Sequence, residues 1–293
     1  MARDERGYAK YRRNFELGIE SVVRRGPAAQ LSPHAHEQYQ LTLYGAGQHR
    51  FEIGGRSLQA GTGGIVVITS GEPHASGPVD DQPLSLRGFY IDVAPVVEAA
   101  RSIWRGSGAV AFREPLVRDE PTVARVYAAH CALERGGLEA EVALCEALKA
   151  LVGRHAEPTG PARPLTGAEA RVARARDLIA DRIADSVRLD ELAEAAGVSR
   201  FHLIRLFRQQ YGVTPFAYQR NARVERARQV LSRGGTIADA VTAGGFADQS
   251  HLGRLFMAVR GVTPGQYRRS FAASTARASG SPGTRLNARR SRP

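Results

Sequence analysis

The stretch GVTPFAYQR, Gly212 to Arg220, returns 49 residues later as GVTPGQYRR, Gly261 to Arg269. The likeness extends upstream at the same offset. His202, Leu203, Arg205, Leu206 and Phe207 match His251, Leu252, Arg254, Leu255 and Phe256. A repeat in such register means two copies of one structural unit. In each copy a glycine is placed to end a helix in the left-handed region, and Thr-Pro is placed to start the next as N-cap and first helical residue. The repeated GVTP is therefore punctuation between helices.

A second pattern lies upstream of each stop. Leu189–Ala196 reads as a short helix, Gly197-Val198 as a turn and Ser199 as the cap of the following helix. In the second copy these roles fall to Ile237–Ala243, Gly244-Gly245-Phe246 and Asp248. A tight glycine turn between two short helices is the helix-turn-helix unit, whose second helix can enter the major groove. Helical spacing puts Leu203, Leu206 and Phe207 on the core side of one such helix, and Leu252, Leu255 and Phe256 on the core side of the other. Arg200, Phe201, Ile204, Arg205 and Arg208 then face out from the first; Gln249, Ser250, Gly253, Arg254 and Met257 face out from the second. With His251 added, these are the candidate DNA-contacting residues. Arg205 and Arg254 are equivalent, and each guanidinium can bond bidentately to guanine. The helix expected between the units, Pro215–Leu231, is about 24 Å long at ~1.5 Å per residue, enough to hold the two reading helices in neighbouring grooves.

Charge supports a polyanionic partner. The chain carries a net +12 at pH 7. Residues 1–163 hold 19 basic and 19 acidic side chains, so the excess lies wholly beyond them. Residues 199–293 hold 17 Arg against Glu225, Asp239 and Asp248, and only five of those Arg lie past Ser270. A neutral front joined to a basic back suggests a sensor or enzyme attached to a nucleic-acid binder.

The region Leu189–Arg269 resembles the AraC/XylS family of transcription regulators. The resemblance rests on L-x-x-L-A-x-x-x-G-V-S-x-x-x-L-x-R-L-F and on G-F-x-D-Q-S-H-x-x-R-x-F followed by G-V-T-P-x-x-Y-R. It implies that the base-reading helices are Ser199–Gln210 and Asp248–Arg260. Ala240-Val241 stands where the family usually has Ile-Ala, and Met257 where a Lys is common.

The front half is of another kind. Val22–Arg25, Gln38–Tyr44, Gln48–Ile53, Arg56–Ala60, Ile65–Thr69 and Leu84–Asp92 read as short strands, with Gly54-Gly55 as a hairpin turn. Residues 1–18 read as a charged arm. Ala94–Trp104, Asp119–Arg135 and Leu138–His155 read as helices, and Cys131 and Cys145 as core thiols on them. If His34 to Gln40 is one strand, period two puts His34, His36, Gln38 and Gln40 on one face. This stretch and Gly63–His74 resemble the two cupin motifs, H-x-H-x3-Q-x6-G and G-x5-T-x-G-x2-H. The resemblance places His34, His36, His74 and Gln40 at the positions of three imidazole ligands and a glutamate. With Gln40 in place of the carboxylate, a metal-free polar lining is expected, although three imidazoles alone can hold Zn²⁺ or Fe²⁺. Arg50, across the hairpin, joins the expected pocket lining of His34, His36, Gln38, Gln40 and His74, which suits a polar or anionic small molecule.

The expected fold is α+β in two domains. A cupin-like barrel with following helices spans 1–157, a linker 158–166, an all-α pair of helix-turn-helix units 167–271 and a disordered basic tail 272–293. No signal peptide or membrane-length apolar run is visible, so a cytoplasmic protein is expected. The function expected is sequence-specific transcription regulation, such as an activator, controlled by a small effector. Expected partners are double-stranded DNA, that effector, RNA polymerase and a second copy of the chain. No cofactor, metal or catalytic residue is expected. The competing reading is a metal-dependent cupin enzyme fused to a DNA-binding domain. A nonspecific architectural binder is disfavoured by two distinct reading faces. A DNA-repair variant would need a reactive Cys cluster, which the sequence lacks.

Overall fold

The computed structural model describes residues 7–104, 109–159 and 167–278. The front half is built on two antiparallel sheets. One has the order β1-β2-β9-β4-β7-β11 and the other β3-β8-β5-β6. Their strands are β1 Tyr8–Asn14, β2 Ile19–Gly26, β3 Leu31–His34, β4 Tyr39–Ala46, β5 His49–Ile53, β6 Arg56–Ala60, β7 Ile65–Ile68, β8 His74–Pro78, β9 Leu84–Ile91 and β11 Leu116–Val117. A small pair, β10 Val110–Phe112 and β12 Ala156–Pro158, ties the end of this half to its middle.

Alternation sorts the larger sheet's residues into two cores. Tyr39, Leu41, Leu43, Ile65, Val67, Phe89 and Ile91 point outward and pack under helices α1 Val93–Arg101, α2 Glu120–Arg135 and α3 Gly137–His155. Tyr44, Val66, Ile68 and Leu84 point the other way and meet Phe51 and Ile53 of the smaller sheet. The result is a cupin-like barrel with one face under helices.

Several expectations change here. The arm of 1–18 is a strand over Tyr8–Asn14, zipped in register to β2 from Tyr8↔Arg25 to Asn14↔Ile19. Its polar composition suits an edge strand, and Tyr11 turns inward to 3% exposure. Cys131 is half-buried and Cys145 exposed, so they are not a pair of core thiols. Of the expected linker, Pro158 still pairs with Val110, and residues 160–166 lie outside the described residues.

The back half is helical, with α4 Gly167–Asp181, α5 Leu189–Ala196, α6 Arg200–Tyr211, α7 Pro215–Ser232, α8 Ile237–Ala243, α9 Gln249–Arg260 and α10 Pro264–Ala278. The expected disordered tail from 272 is helical in its backbone as far as Ala278, because Ala-Ala-Ser-Thr-Ala-Arg-Ala is a good helical composition and continues α10. Residues 279–293 lie outside the described residues. The first unit has its own core of Val172, Ile179, Leu192, Leu203 and Phe207. The second does not. Phe246, Leu252, Phe256, Tyr267 and Phe271 share one core with Tyr11 and Val22 of the barrel.

Among the described residues no helix is long and apolar enough to cross a membrane.

Candidate nucleic-acid interface and effector pocket

The two helices expected to read DNA, α6 and α9, are capped as their residues dictate. Ser199 accepts a hydrogen bond from the His202 N–H at 3.3 Å, and Asp248 from the His251 N–H at 2.7 Å. Thr214 and Thr263 cap the helices that follow, accepting from Ala217 and Gln266 N–H at 3.2 Å each. Gly212 and Gly261 stop α6 and α9 at φ +68° and +67°. These glycines also have a second role. A Cβ on Gly212 would come within 2.7 Å of Pro73, and one on Gly261 within 2.5 Å of the Arg24 guanidinium. Both α6 and α9 therefore end against the barrel.

Burial divides their faces. Leu203, Phe207, Leu252 and Phe256 are fully buried, while Leu206 and Leu255 are half-buried. Phe201, Arg205 and Arg208 are exposed on α6 with Arg200 beside them; Gln249, Ser250 and Arg254 are exposed on α9. Ile204 and His251 are half-buried, the latter with its ring 5.5 Å from Phe246. Phe201 is 84% exposed, a large apolar ring among arginines. Arg200 leans back on Asp190 of α5 at 3.2 Å. Arg205 and Arg254 form no ion pair among the described residues, which leaves both guanidinium forks free for an outside partner. Not every arginine is available. Arg223 donates to the carbonyls of Ile183 and Asp185, at 2.8 and 2.7 Å. Arg228 and Arg260 are buried against Glu20 of β2.

The expected pocket residues are only partly brought together. His34, His36 and His74 cluster, with ring centroids 4.2 to 6.0 Å apart, because β3 and β8 pair His34 with His74. Each Nδ1 faces a backbone carbonyl, of Ser32, Gln38 and Glu72 respectively, at 2.7 to 2.9 Å. Gln40 reaches His36 Nε2 at 3.1 Å. Burial holds all three imidazoles neutral, with His34 pushed down to about 3.

Two expected members lie elsewhere. The chain from His34 to Gln40 is not one strand; it bends between β3 and β4. Gln38 consequently turns to Asp92, donating at 2.7 Å, in a groove shared with Arg13 and Glu225. Arg50 is exposed on the outer face of β5, where the burial alternates so that His49, Phe51 and Ile53 point inward. Counting from the apolar Phe51 and Ile53 would have placed His49, not Arg50, inside.

One ligand atom from each histidine lies within 4.8 Å of the other two. Three neutral nitrogens are a plausible start for a divalent cation. Yet the fourth position is an amide, and the Arg260 charge opposes added positive charge on all three rings while Glu225 favours it on His34 and His36. The set thus offers three neutral nitrogens and an amide, without a carboxylate.

The cavity inside the barrel is small, about 50 Å³, and lies beside Gln40. Tyr11, Arg24, Tyr44, His49, Tyr90 and Arg260 are among its lining residues. Arg260 comes from the end of α9 and stacks its guanidinium 4.2 Å from the Tyr90 ring centroid. None of these six was expected from the sequence, since they converge from β1, β2, β4, β5, β9 and α9.

Comparison with known proteins follows the same division. The profile of the AraC-like ligand binding domain matches residues 16–152, and that of a helix-turn-helix domain matches 192–270. The HTH-type transcriptional regulator YbfI of Bacillus subtilis is 27% identical over 80% of this chain and 86% of its own length. The regulatory protein ada of Salmonella typhimurium is 37% identical, over 30% of this chain and 28% of its own. The crystal structure of ToxT from Vibrio cholerae has the same fold, with a TM-score of 0.59 at 12% identity, covering 87% of this chain and 98% of that one. With a ligand-binding profile over its sheets and a helix-turn-helix profile over its helices, the chain belongs to the AraC family of DNA-binding transcription regulators.

Proposed function

We propose that residues 167–271 read an asymmetric DNA site through α6 and α9, and that a small effector held by the barrel of residues 1–157 controls this reading. The observation that carries the proposal is the matched pair Arg205 and Arg254. They sit at equivalent positions on two capped helices, exposed, with no ion-pair partner among the described residues. Arg200, Phe201, Ile204 and Arg208 extend the first reading face, and Gln249, Ser250 and His251 the second. The exposed phenyl of Phe201 suits thymine methyls, and the arginines suit guanine edges and phosphates.

Control follows from the second unit's attachment. Its core is continuous with the barrel's, so a change in the barrel reaches α9 through packed side chains rather than through the linker. In this reading the protein works in the cytoplasm, and its DNA-bound form touches RNA polymerase. A homodimer would form through α3, where Leu138, Val142 and Cys145 make an exposed stripe at helical spacing. No enzymatic step is assigned.

The test is a genome-wide footprint of the protein on its own chromosome. A few discrete sites sharing an asymmetric motif of about two major-groove readings support the proposal. Diffuse occupancy that depends only on salt overturns it.

A further inference from the structure

Three buried polar atoms around the barrel cavity have no hydrogen-bond partner among the described residues: Tyr44 Oη, His49 Nε2 and Arg260 Nε. Their residues are 6%, 4% and 5% exposed. A buried polar atom left unpaired costs free energy, so three around one cavity call for an occupant. The character of the three groups says which kind. Burial pushes the Tyr44 phenol far up, so it stays an O–H donor. Burial also pulls His49 down to about 4, so its ring is neutral, and in the tautomer protonated at Nε2 that nitrogen donates into the cavity. The guanidinium nitrogen of Arg260 is a donor only.

The cavity has a charge to match. Arg24 lines it and makes one long hydrogen bond, 3.4 Å to the Pro27 carbonyl. It forms no ion pair among the described residues. The carboxylates paired around Arg228 and Arg260 are engaged: Glu20 is held by both arginines, and Glu225 by Arg228. Donors and an uncompensated cation thus meet in a space whose remaining walls include Leu31, Phe51 and Leu86.

We infer that the barrel cavity is a carboxylate site, taking a small monocarboxylate whose oxygens accept from Tyr44, His49 and Arg260 beside the Arg24 charge. The inference rests on the reading of the barrel as the effector site and names the chemical class of that effector. The size sets a limit. A cavity of about 50 Å³, against the roughly 10–15 Å³ that one water needs, takes a small carboxylate head group. Arg260 is shared, with Nη2 on Glu20 at 3.0 Å and Nε facing no partner. A carboxylate on Nε would pull this guanidinium against Glu20, and so act on the last residue of the second reading helix.

The experiment uses the full chain and ligand-observed NMR titration with acetate, benzoate and acetamide, followed by DNA release on adding acetate. Acetate is expected to bind and acetamide to fail. Tyr44→Phe and Arg24→Gln are each expected to weaken acetate about tenfold or more, as loss of a hydrogen bond to a charged group does. Tyr44→Phe removes only an unpaired hydroxyl, so its thermal stability serves as the folding control. Absence of binding by both carboxylates overturns the inference. Equal binding of acetamide overturns the anion while leaving the effector reading intact. Acetate affinity unchanged in both variants means that the cavity holds water only, and overturns the site.

Discussion

Glu20 and Arg228 stand 208 positions apart in sequence, and their carboxylate oxygen and guanidinium nitrogen meet at 2.6 Å in the interior. Tyr267 donates to the same oxygen at 2.6 Å and Arg260 to the other oxygen at 3.0 Å. One carboxylate of the barrel thus holds α7, α9 and α10 of the second helix-turn-helix unit. Glu20→Gln leaves two buried guanidiniums undercompensated. A loss of about 3–5 kcal/mol is expected, the scale for breaking a buried pair by removing one partner. Urea unfolding measures it, and an unchanged midpoint would show that the cluster does not hold the halves together.

Arg205→Ala and Arg254→Ala should each cost about 1–3 kcal/mol on the specific site and relax the preference at one or two base pairs. Binding to random DNA should fall much less. Competition binding against base-substituted duplexes separates these outcomes. Equal losses on specific and random DNA would reduce both residues to phosphate contacts.

Stability should fall on mild acidification. His34, His36, His49, His74 and His130 are all held below the ordinary imidazole value, chiefly by burial. The unfolded chain therefore takes up protons near pH 6.5 while the folded chain does not, and stability present above that pH is lost as pH falls. His49 and His130, each pulled down to about 4, extend the loss to that pH. Each group contributes up to about 1.4 kcal/mol per pH unit in this window. Urea midpoints at pH 7.5, 6 and 5 check the slope, and a flat profile would contradict the burial of these rings.

Chelation should leave the protein unchanged. The Arg260 charge beside the histidine cluster and the amide at Gln40 disfavour a resident divalent cation. The melting temperature and DNA affinity should therefore be the same before and after dialysis against EDTA. A drop in either, restored by zinc, would reverse this reading of the cluster.

Val142→Glu places a charge in the exposed stripe of α3, where Val142 is 49% and Leu138 74% exposed. The change faces solvent in the single chain, so the fold should be kept to within ~0.5 kcal/mol. Sedimentation should then report a monomer where the unaltered protein sediments as a dimer. A dimer that survives the change moves the interface elsewhere.

The helical half was legible because its information is local. Capping threonines, stop glycines and a hydrophobic period of 3.6 act within one or two turns, so α5 to α9 stand where Leu189, Ser199, Pro215, Ile237 and Asp248 announce them. The repeat added the equivalence of Arg205 and Arg254. The barrel was legible as strands, and its site only in part: His34, His36, Gln40 and His74 come together as expected. One bend at residues 35–38 moved Gln38 to Asp92, and one step of register exchanged Arg50 for His49.

By itself, then, the sequence determined the two helix-turn-helix units, their outward faces and the β-rich character of the front, since these follow from spacing within single elements. The packing of the two halves settled that Glu20 binds Arg228 and Arg260, and that Arg260 reaches Tyr90. It also decided that the cavity is rimmed by Arg24, Tyr44 and His49. These contacts join residues as far as 240 positions apart. No periodicity encodes them. They exist because the second unit lends its apolar face to the barrel, and the charges carried inside with that face had to find partners there.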